Sequence, residues 1–273
     1  MFSVVILTLN EEKNLPICLA SARSSDDVVV LDSGSTDRTA AIAAAAGARV
    51  VVNRFENFAA QRNYADRTIA FKYPWVFHLD ADEQLTPELA RRCSQIGETD
   101  PADVDGFWVA PRMLFRGRWI PHCTDFPAYQ ARFVHASRFS FVQVGHGQRE
   151  APTMRMQTIS ENYLHDLSAD GETALAAKHQ RYARQEAAAF LARGDVSSVS
   201  PSGLFAKTPL ERRRALKALS SRLPARGSLR FVYQYLLRRG FLDGGAGFAY
   251  CRLMAKYEAW IGQEIAKQRR SLR

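Results

Sequence analysis

The apolar run Trp75-Val76-Phe77-His78-Leu79 ends in Asp80-Ala81-Asp82-Glu83. If the run is a strand, Asp80 and Asp82 point to the same side. Two carboxylates so placed at a strand's end can share a divalent cation and leave positions open for water and phosphate, which suits Mg²⁺ or Mn²⁺. A pattern this short also describes two solvated acids in a turn. The segments ahead of it decide between the two.

Residues 3–8 (Ser-Val-Val-Ile-Leu-Thr) have the character of a buried strand, and Asn10-Glu11-Glu12 opens a helical stretch to about Ala22. Val28-Val29-Val30-Leu31 forms a second strand, closed by Asp32-Ser33-Gly34-Ser35. Ser35 or Thr36 can N-cap an alanine-rich helix that Gly47 stops. Val50-Val51-Val52 is strand three, residues 58–69 are helical, and strand four delivers the aspartates. Thr86-Pro87 restarts a helix. Such alternation predicts a mostly parallel sheet, whose functional crevice lies beyond the carboxyl ends of its strands. Thr8 and Asn10, Asp32, and Asp80 with Asp82 all follow such ends.

Residues 106–165 alternate aromatic and β-branched runs with Gly and Pro and predict irregular strands and loops. Residues 172–193 are helical by spacing, 194–203 read as a linker, and 207–222 as a basic helix. Residues 229–239 place Leu229, Val232, Tyr233, Leu236 and Leu237 on one face. A glycine-rich loop (240–247) precedes a last amphipathic helix carrying Leu253, Met254, Tyr257, Ile261 and Ile265.

The 273 residues allow one large α/β domain with an appendage, or two modest domains, and 47% hydrophobic with 24% charged residues exclude a disordered chain. The four cysteines form no C-x-x-C, so neither zinc nor a disulfide framework is expected and a reducing cytoplasm fits. Residues 2–9 make a poor signal peptide, and no window approaches a membrane span of about 18 apolar residues. Net charge is +9, but residues 207–273 hold 16 Lys/Arg against 4 Asp/Glu. A near-neutral body with a basic, aromatic tail calls for an anionic partner or a solvated role.

Four motifs in this order, Leu7-Thr8-Leu9-Asn10-Glu11-Glu12, Val30-Leu31-Asp32-Ser33-Gly34-Ser35-Thr36-Asp37, Gln61-Arg62-Asn63 and Leu79-Asp80-Ala81-Asp82-Glu83, resemble family 2 glycosyltransferases of the GT-A fold. Within that family the chain is similar to bacterial enzymes building lipopolysaccharide core and surface glycans. Arg239-Gly-Phe-Leu-Asp-Gly-Gly-Ala-Gly-Phe248 also resembles the carboxyl end of that group.

The resemblance implies an α/β, Rossmann-like GT-A domain over residues 1–170. Residues 1–100 would form its nucleotide-sugar half and 101–170 its acceptor half. Residues 171–273 would be a basic, amphipathic helical region. It implies an inverting transfer from a nucleotide-diphosphate sugar, with UDP the expected nucleotide, and Mg²⁺ or Mn²⁺ as cofactor. Thr8, Asn10 and Glu11 would line the nucleotide pocket. Asp32 would receive uracil or ribose, supported by Asp37, and Gln61, Arg62 and Asn63 would sit near the nucleotide. Asp80 would hold ribose or a water on the metal, and Asp82 would ligate the metal.

Family members carry the base in a Val-His-Glu segment. Here the stretch reads Val144-Gly145-His146-Gly147-Gln148-Arg149-Glu150, which makes Glu150 the first choice and His146 the second. His165 and Asp166 could touch the metal or diphosphate, or His165 could be structural. Arg132 could meet phosphate or be a solvated strand residue. His179, Arg181 and Tyr182 could reach the diphosphate or simply pack. His122 and Cys123 have no metal-ligand spacing to a partner.

The basic tail suits the surface of an anionic bilayer, where lipid-linked acceptors are presented. It equally suits a helical cap on the catalytic domain. A nucleic-acid role lacks any recognisable motif. Peripheral residence on the cytoplasmic face of the inner membrane follows as the expectation. Transfer to a polyprenyl phosphate and a non-catalytic nucleotide-sugar-binding role are the alternatives.

Overall fold

The computed structural model describes residues 1–144, 147–192 and 225–271. They form two compact units. The first comprises residues 1–117 and 125–169, the second 118–124 and 170 onward.

The first unit is built on a seven-stranded sheet in the order β12-β6-β9-β4-β1-β2-β3. Its strands are β1 (Ser3–Thr8), β2 (Val28–Asp32), β3 (Arg49–Val52), β4 (Trp75–Asp80), β6 (Gly106–Val109), β9 (Gln130–His135) and β12 (Met156–Thr158). Only β9 runs against its neighbours β4 and β6. Period-two alternation assigns the faces. Val4, Ile6 and Val30 turn to a core containing Leu15 and Cys18 of α1 (Leu15–Ser21) and Leu89 and Cys93 of α4 (Pro87–Thr99). Val5, Leu7, Val29 and Leu31 turn the other way, onto Ala65 of α3 (Phe58–Thr68). Each such side chain, buried fully, contributes about 1.5–3 kcal/mol. Trp75, Phe107 and Phe133 pack as tilted rings across β4, β6 and β9 with centroids 5.3–6.0 Å apart.

A smaller sheet places β13 (Tyr163–Asp166) between β5 (Glu83–Gln84) and β7 (Pro111–Phe115). A hairpin joins β10 (Phe141–Val144) to β11 (Gly147–Glu150).

A local expectation changes at the second helix. The alanine-rich helix α2 (Thr39–Ala45) starts several residues after Ser35, and its N-cap position, Arg38, makes no side-chain cap. The Ser35 hydroxyl and the Thr36 amide are committed to Asp32 and Asn10 instead. Gly47, at φ +82°, ends that helix as expected.

In the second unit α5 (Glu172–Ala192) buries Ala183 and Ala187 against Ile261 and Ile265 of α7 (Gly244–Ser271). Helix α6 (Arg226–Val232) continues as a π-helical turn, Tyr233–Leu237. The glycine-rich segment expected as a loop is a 3₁₀ turn, Gly240–Asp243, running directly into α7. Glycine is required there because a Cβ on Gly247 would collide with the Gly240 carbonyl. The predicted linker (194–203) and basic helix (207–222) lie outside the described residues.

Candidate active site at the carboxyl edge of the sheet

Strand register sets the site. Thr8 lies beside Asp32, Leu7 beside Asp80, and Asp32 beside Val52, so the carboxyl ends of β1, β2, β3 and β4 form one edge. At its centre Thr8 Oγ1 donates to Asp32 Oδ1 at 2.9 Å. Asp32 also accepts the Ser35 hydroxyl and the amides of Gly34 and Ser35. Burial raises its carboxyl, but these donors together hold it below the ordinary range.

The loops after β1 and β2 are interlocked. Asn10, in the left-handed region at φ +58°, accepts the Thr36 amide at 2.8 Å and gives its own amide to Ser35 Oγ. The Glu11 amide donates to Thr39 Oγ1, and that of Glu12 to Asp37 Oδ2. The polar motif residues thus shape a loop pair at the sheet edge by bonding one another.

One turn of α3 ties three walls together. Gln61, buried, bonds Asn53 and Ser33 beside Asp32. Arg62, fully buried, gives Nη2 to Asp80 Oδ1 at 2.7 Å. Asn63 bonds both the amide and the carbonyl of Phe141 on β10, at 2.8 and 2.9 Å. Phe141 is paired with Glu150 on β11. Residues 61–63 therefore link the β2 loop, the β4 carboxylate and the strand pair that carries Glu150. His146 lies outside the described residues.

Asp80 is held between two guanidiniums. Its Oδ2 accepts from Arg132 Nη2 at 3.1 Å, and the same nitrogen bonds Glu83 Oε1 at 2.6 Å. Glu83 returns its other oxygen to the Asp80 amide at 2.8 Å. Burial would push Asp80 up, but Arg132 and Arg62 hold its carboxyl far below the usual range. Glu83, fully buried, is raised by burial against the pull of Arg132, and Asp80 adds to the rise. The Arg132 guanidinium also lies over the Tyr163 ring, 5.2 Å from its centroid.

Asp82 is different. Its side chain is 28% exposed, and its Oδ2 lies 3.4 Å from His165 Nε2. Strand β13 makes this contact by pairing His165 with Glu83. Burial opposes protonation of His165, but Asp82 and Glu83 raise it above the ordinary imidazole value. Among the described residues no group of three or more His, Cys, Asp or Glu is arranged to hold a metal ion. The donor chemistry still fits one: Asp82 offers hard oxygen, which suits Mg²⁺ or Mn²⁺. Both Asp80 oxygens are already engaged by arginines.

Arg132, expected either to meet phosphate or to be a solvated strand residue, is not solvated: at 3% exposure it acts as a buried clamp on two acids. Glu83 was not singled out at all. The available signal was its place directly after Asp82 in a segment that must turn at a strand's end. His165 sits beside Asp82, whereas Asp166 bonds Ser168. Helix-borne His179 bonds the Leu175 carbonyl and packs on Tyr257, and His122 bonds Asp243, so both are structural elements of the second unit.

The model of glycosyl transferase family 2 matches residues 3–155, more than half the chain. The chain belongs to that family. An uncharacterized glycosyltransferase of Rickettsia bellii is 40% identical over 88 residues, 32% of this chain and 29% of the relative. The lipopolysaccharide core biosynthesis glycosyltransferase LpsC of Rhizobium meliloti is 37% identical over 92 residues, 32% of this chain and 33% of LpsC. The chain thus spans about a third of the length of these relatives. Among solved structures, a mannosyltransferase of Pyrobaculum calidifontis in complex with GDP-Man and Mn²⁺ superposes with a TM-score of 0.50 at 18% identity, over 97% of this chain and 86% of that one. The fold of this family member is GT-A, mixed α/β with a mostly parallel central sheet and a helical region after it.

Proposed function

We propose that this family 2 transferase moves a sugar, with inversion, from a nucleotide-diphosphate donor to a cell-envelope glycan. UDP is the donor nucleotide we favour, and lipopolysaccharide core the favoured acceptor. Similarity to LpsC supports that acceptor class. The observation that carries the reading is the corner at the end of β4, where Asp80 is fixed by Arg62 and Arg132 while Asp82 stays accessible beside His165.

In this reading the loop pair around Thr8, Asn10, Glu11 and Asp32, backed by Gln61, shapes the nucleotide pocket. Asp80, oriented by two arginines, faces ribose or an ordered water. Asp82, with His165 next to it, would hold Mg²⁺ or Mn²⁺, which when bound neutralises charge growing on the leaving diphosphate. Glu150 takes the acceptor hydroxyl's proton, an effect of about 10²–10⁴-fold. Asn63 positions Glu150 indirectly, by holding the strand paired with it. Residues 1–170 are the catalytic part in this reading. The basic residues 171–273 address the enzyme to an anionic membrane surface. Among the described residues no helix is long and apolar enough to cross a membrane.

The test is a thermal-shift panel of UDP-, GDP- and dTDP-sugars with and without Mn²⁺, followed by transfer assays. A donor should raise the melting temperature by mass action. Asp82→Ala should lose the Mn²⁺-dependent part of that shift and the transfer activity. Glu150→Gln should keep the shift and lose transfer. Wild-type transfer and metal dependence in Asp82→Ala would overturn the reading.

A further inference from the structure

Apolar residues on a protein surface are ordinarily scattered singly, and a contiguous patch marks a contact surface. In the second unit they are contiguous. Leu229, Val232, Tyr233, Leu236 and Leu237 follow i, i+3, i+4, i+7, i+8 spacing along α6 and its π-helical turn, and every one is at least 44% exposed. The next turn adds Phe241 and Leu242, also exposed. The buried residues of this stretch are Gly227, packed against the Ala255 backbone, and Gln234, whose Nε2 bonds the Cys123 carbonyl at 2.9 Å. The helix therefore packs through a glycine, an amide and the rings of Phe231 and Tyr235, which meet Phe248 at 5.8 and 5.6 Å, and leaves its leucine-rich stripe outward.

The charge around the stripe is mostly positive. Residues 225–258 contain Arg226, Arg230, Arg238, Arg239, Arg252 and Lys256, and two acids, Asp243 and Glu258, of which Glu258 is paired with Arg226 at 2.8 Å. Asp243 is buried, its carboxylate taken by the amides of His122 and Cys123 and by the His122 ring. Arg239, Arg252 and Lys256 are exposed.

A second copy docked on this face would set arginine against arginine. The chain's own segment 193–224 carries mostly the same sign. Nucleic acid would leave the leucines and Phe241 without an apolar partner. An anionic bilayer supplies both complements, phosphate for the cations and hydrocarbon for the stripe.

We propose that this face docks on an anionic phospholipid bilayer. Leu236, Leu237, Phe241 and Leu242 enter the acyl boundary, and Arg239, Arg252 and Lys256 meet headgroup phosphates. The inference rests on the reading that the acceptor is presented at a membrane, and it names the residues that make the contact.

The experiment is co-sedimentation of the full chain with vesicles of phosphatidylcholine alone and of phosphatidylcholine mixed with phosphatidylglycerol. Wild type should sediment with the mixed vesicles, and rising salt should release it. Leu237→Asp combined with Phe241→Asp should lower partitioning about tenfold or more, because each places a charge where hydrocarbon is expected. Arg239→Glu combined with Arg252→Glu should abolish the preference for the anionic lipid. Both variants alter exposed positions, and circular dichroism with an unchanged donor-induced thermal shift separates loss of docking from failure of the transferase reading. Wild type remaining in the supernatant with both vesicle types, or the apolar variant sedimenting like wild type, would overturn the proposal. So would a wild-type dimer that the apolar variant breaks into monomers, since a second copy would then own the face.

Discussion

The end of β4 and the turn after α6 each invert the usual distribution of side chains, in opposite senses. At β4 two arginines and Glu83 are buried beside a partly exposed Asp80, and every charge has a counter-charge within 3.1 Å. After α6, leucines and Phe241 face outward among exposed cations while a glutamine is buried. The first arrangement fixes charged groups in one geometry, as a site that must orient a diphosphate requires. The second leaves surface energy unspent, as a face awaiting an apolar partner requires. Local rules break where function is served, and the direction of the break distinguishes chemistry from docking.

The sharpest way to break this contrast is Arg132→Ala. It strands the fully buried Glu83 without its counter-charge and should cost about 3–5 kcal/mol of unfolding free energy. Urea unfolding of the variant would measure it, and a loss under about 1 kcal/mol would mean that the pocket is wetter than its burial indicates. Asn63→Ala comes next. It leaves the Phe141 amide and carbonyl without their side-chain partner, for about 1–3 kcal/mol, and transfer should fall with it because the strand bearing Glu150 is released.

A smaller effect separates the units by pH. Asp27, Asp32 and Asp80 all belong to the first unit, and all have depressed carboxyl pKa values despite burial. Asp27 is held down by Ser3, the Lys72 amide and Arg49, and Asp80 by Arg132 and Arg62. Their stabilisation is fully present above the ordinary value of 3.8 and is lost as pH falls through the lower folded values. Acid should therefore loosen the first unit, read by hydrogen exchange of β1 and β2 between about pH 4 and pH 2, and Asp27→Asn should flatten that dependence. The smallest effect expected is Leu236→Gln, which should change stability by no more than about 0.5 kcal/mol. A larger loss in thermal melts would show that the stripe is packed in solution.

Much of the site was legible because strand ends and motif residues coincide in the chain. The β-branched runs gave β1 to β4, and a parallel arrangement then forces Thr8, Asp32 and Asp80 onto one edge. What could not be read were commitments between distant residues. Ser35 and Thr36 look like helix caps until the Asn10 loop claims them, and nothing near Arg132 in sequence announces two acids some fifty positions earlier. Periodicity placed the residues of the α6 stripe together, but whether a stripe faces inward or outward depends on which partner lies across it. Residues 240–247 read as loop because glycine weakens a helix locally, yet close backbone approach is what Gly240 and Gly247 serve.

Asp243 has one more consequence. It binds the amides of residues 122 and 123, which lie in a short stretch interrupting the first unit in sequence. No single cut of the polypeptide can therefore divide the two units cleanly. A shortened version ending before position 243 would keep the whole β4 corner but leave two backbone donors at 122 and 123 without their acceptor, so the helical end cannot be trimmed away as an accessory when the first unit is sought in isolation.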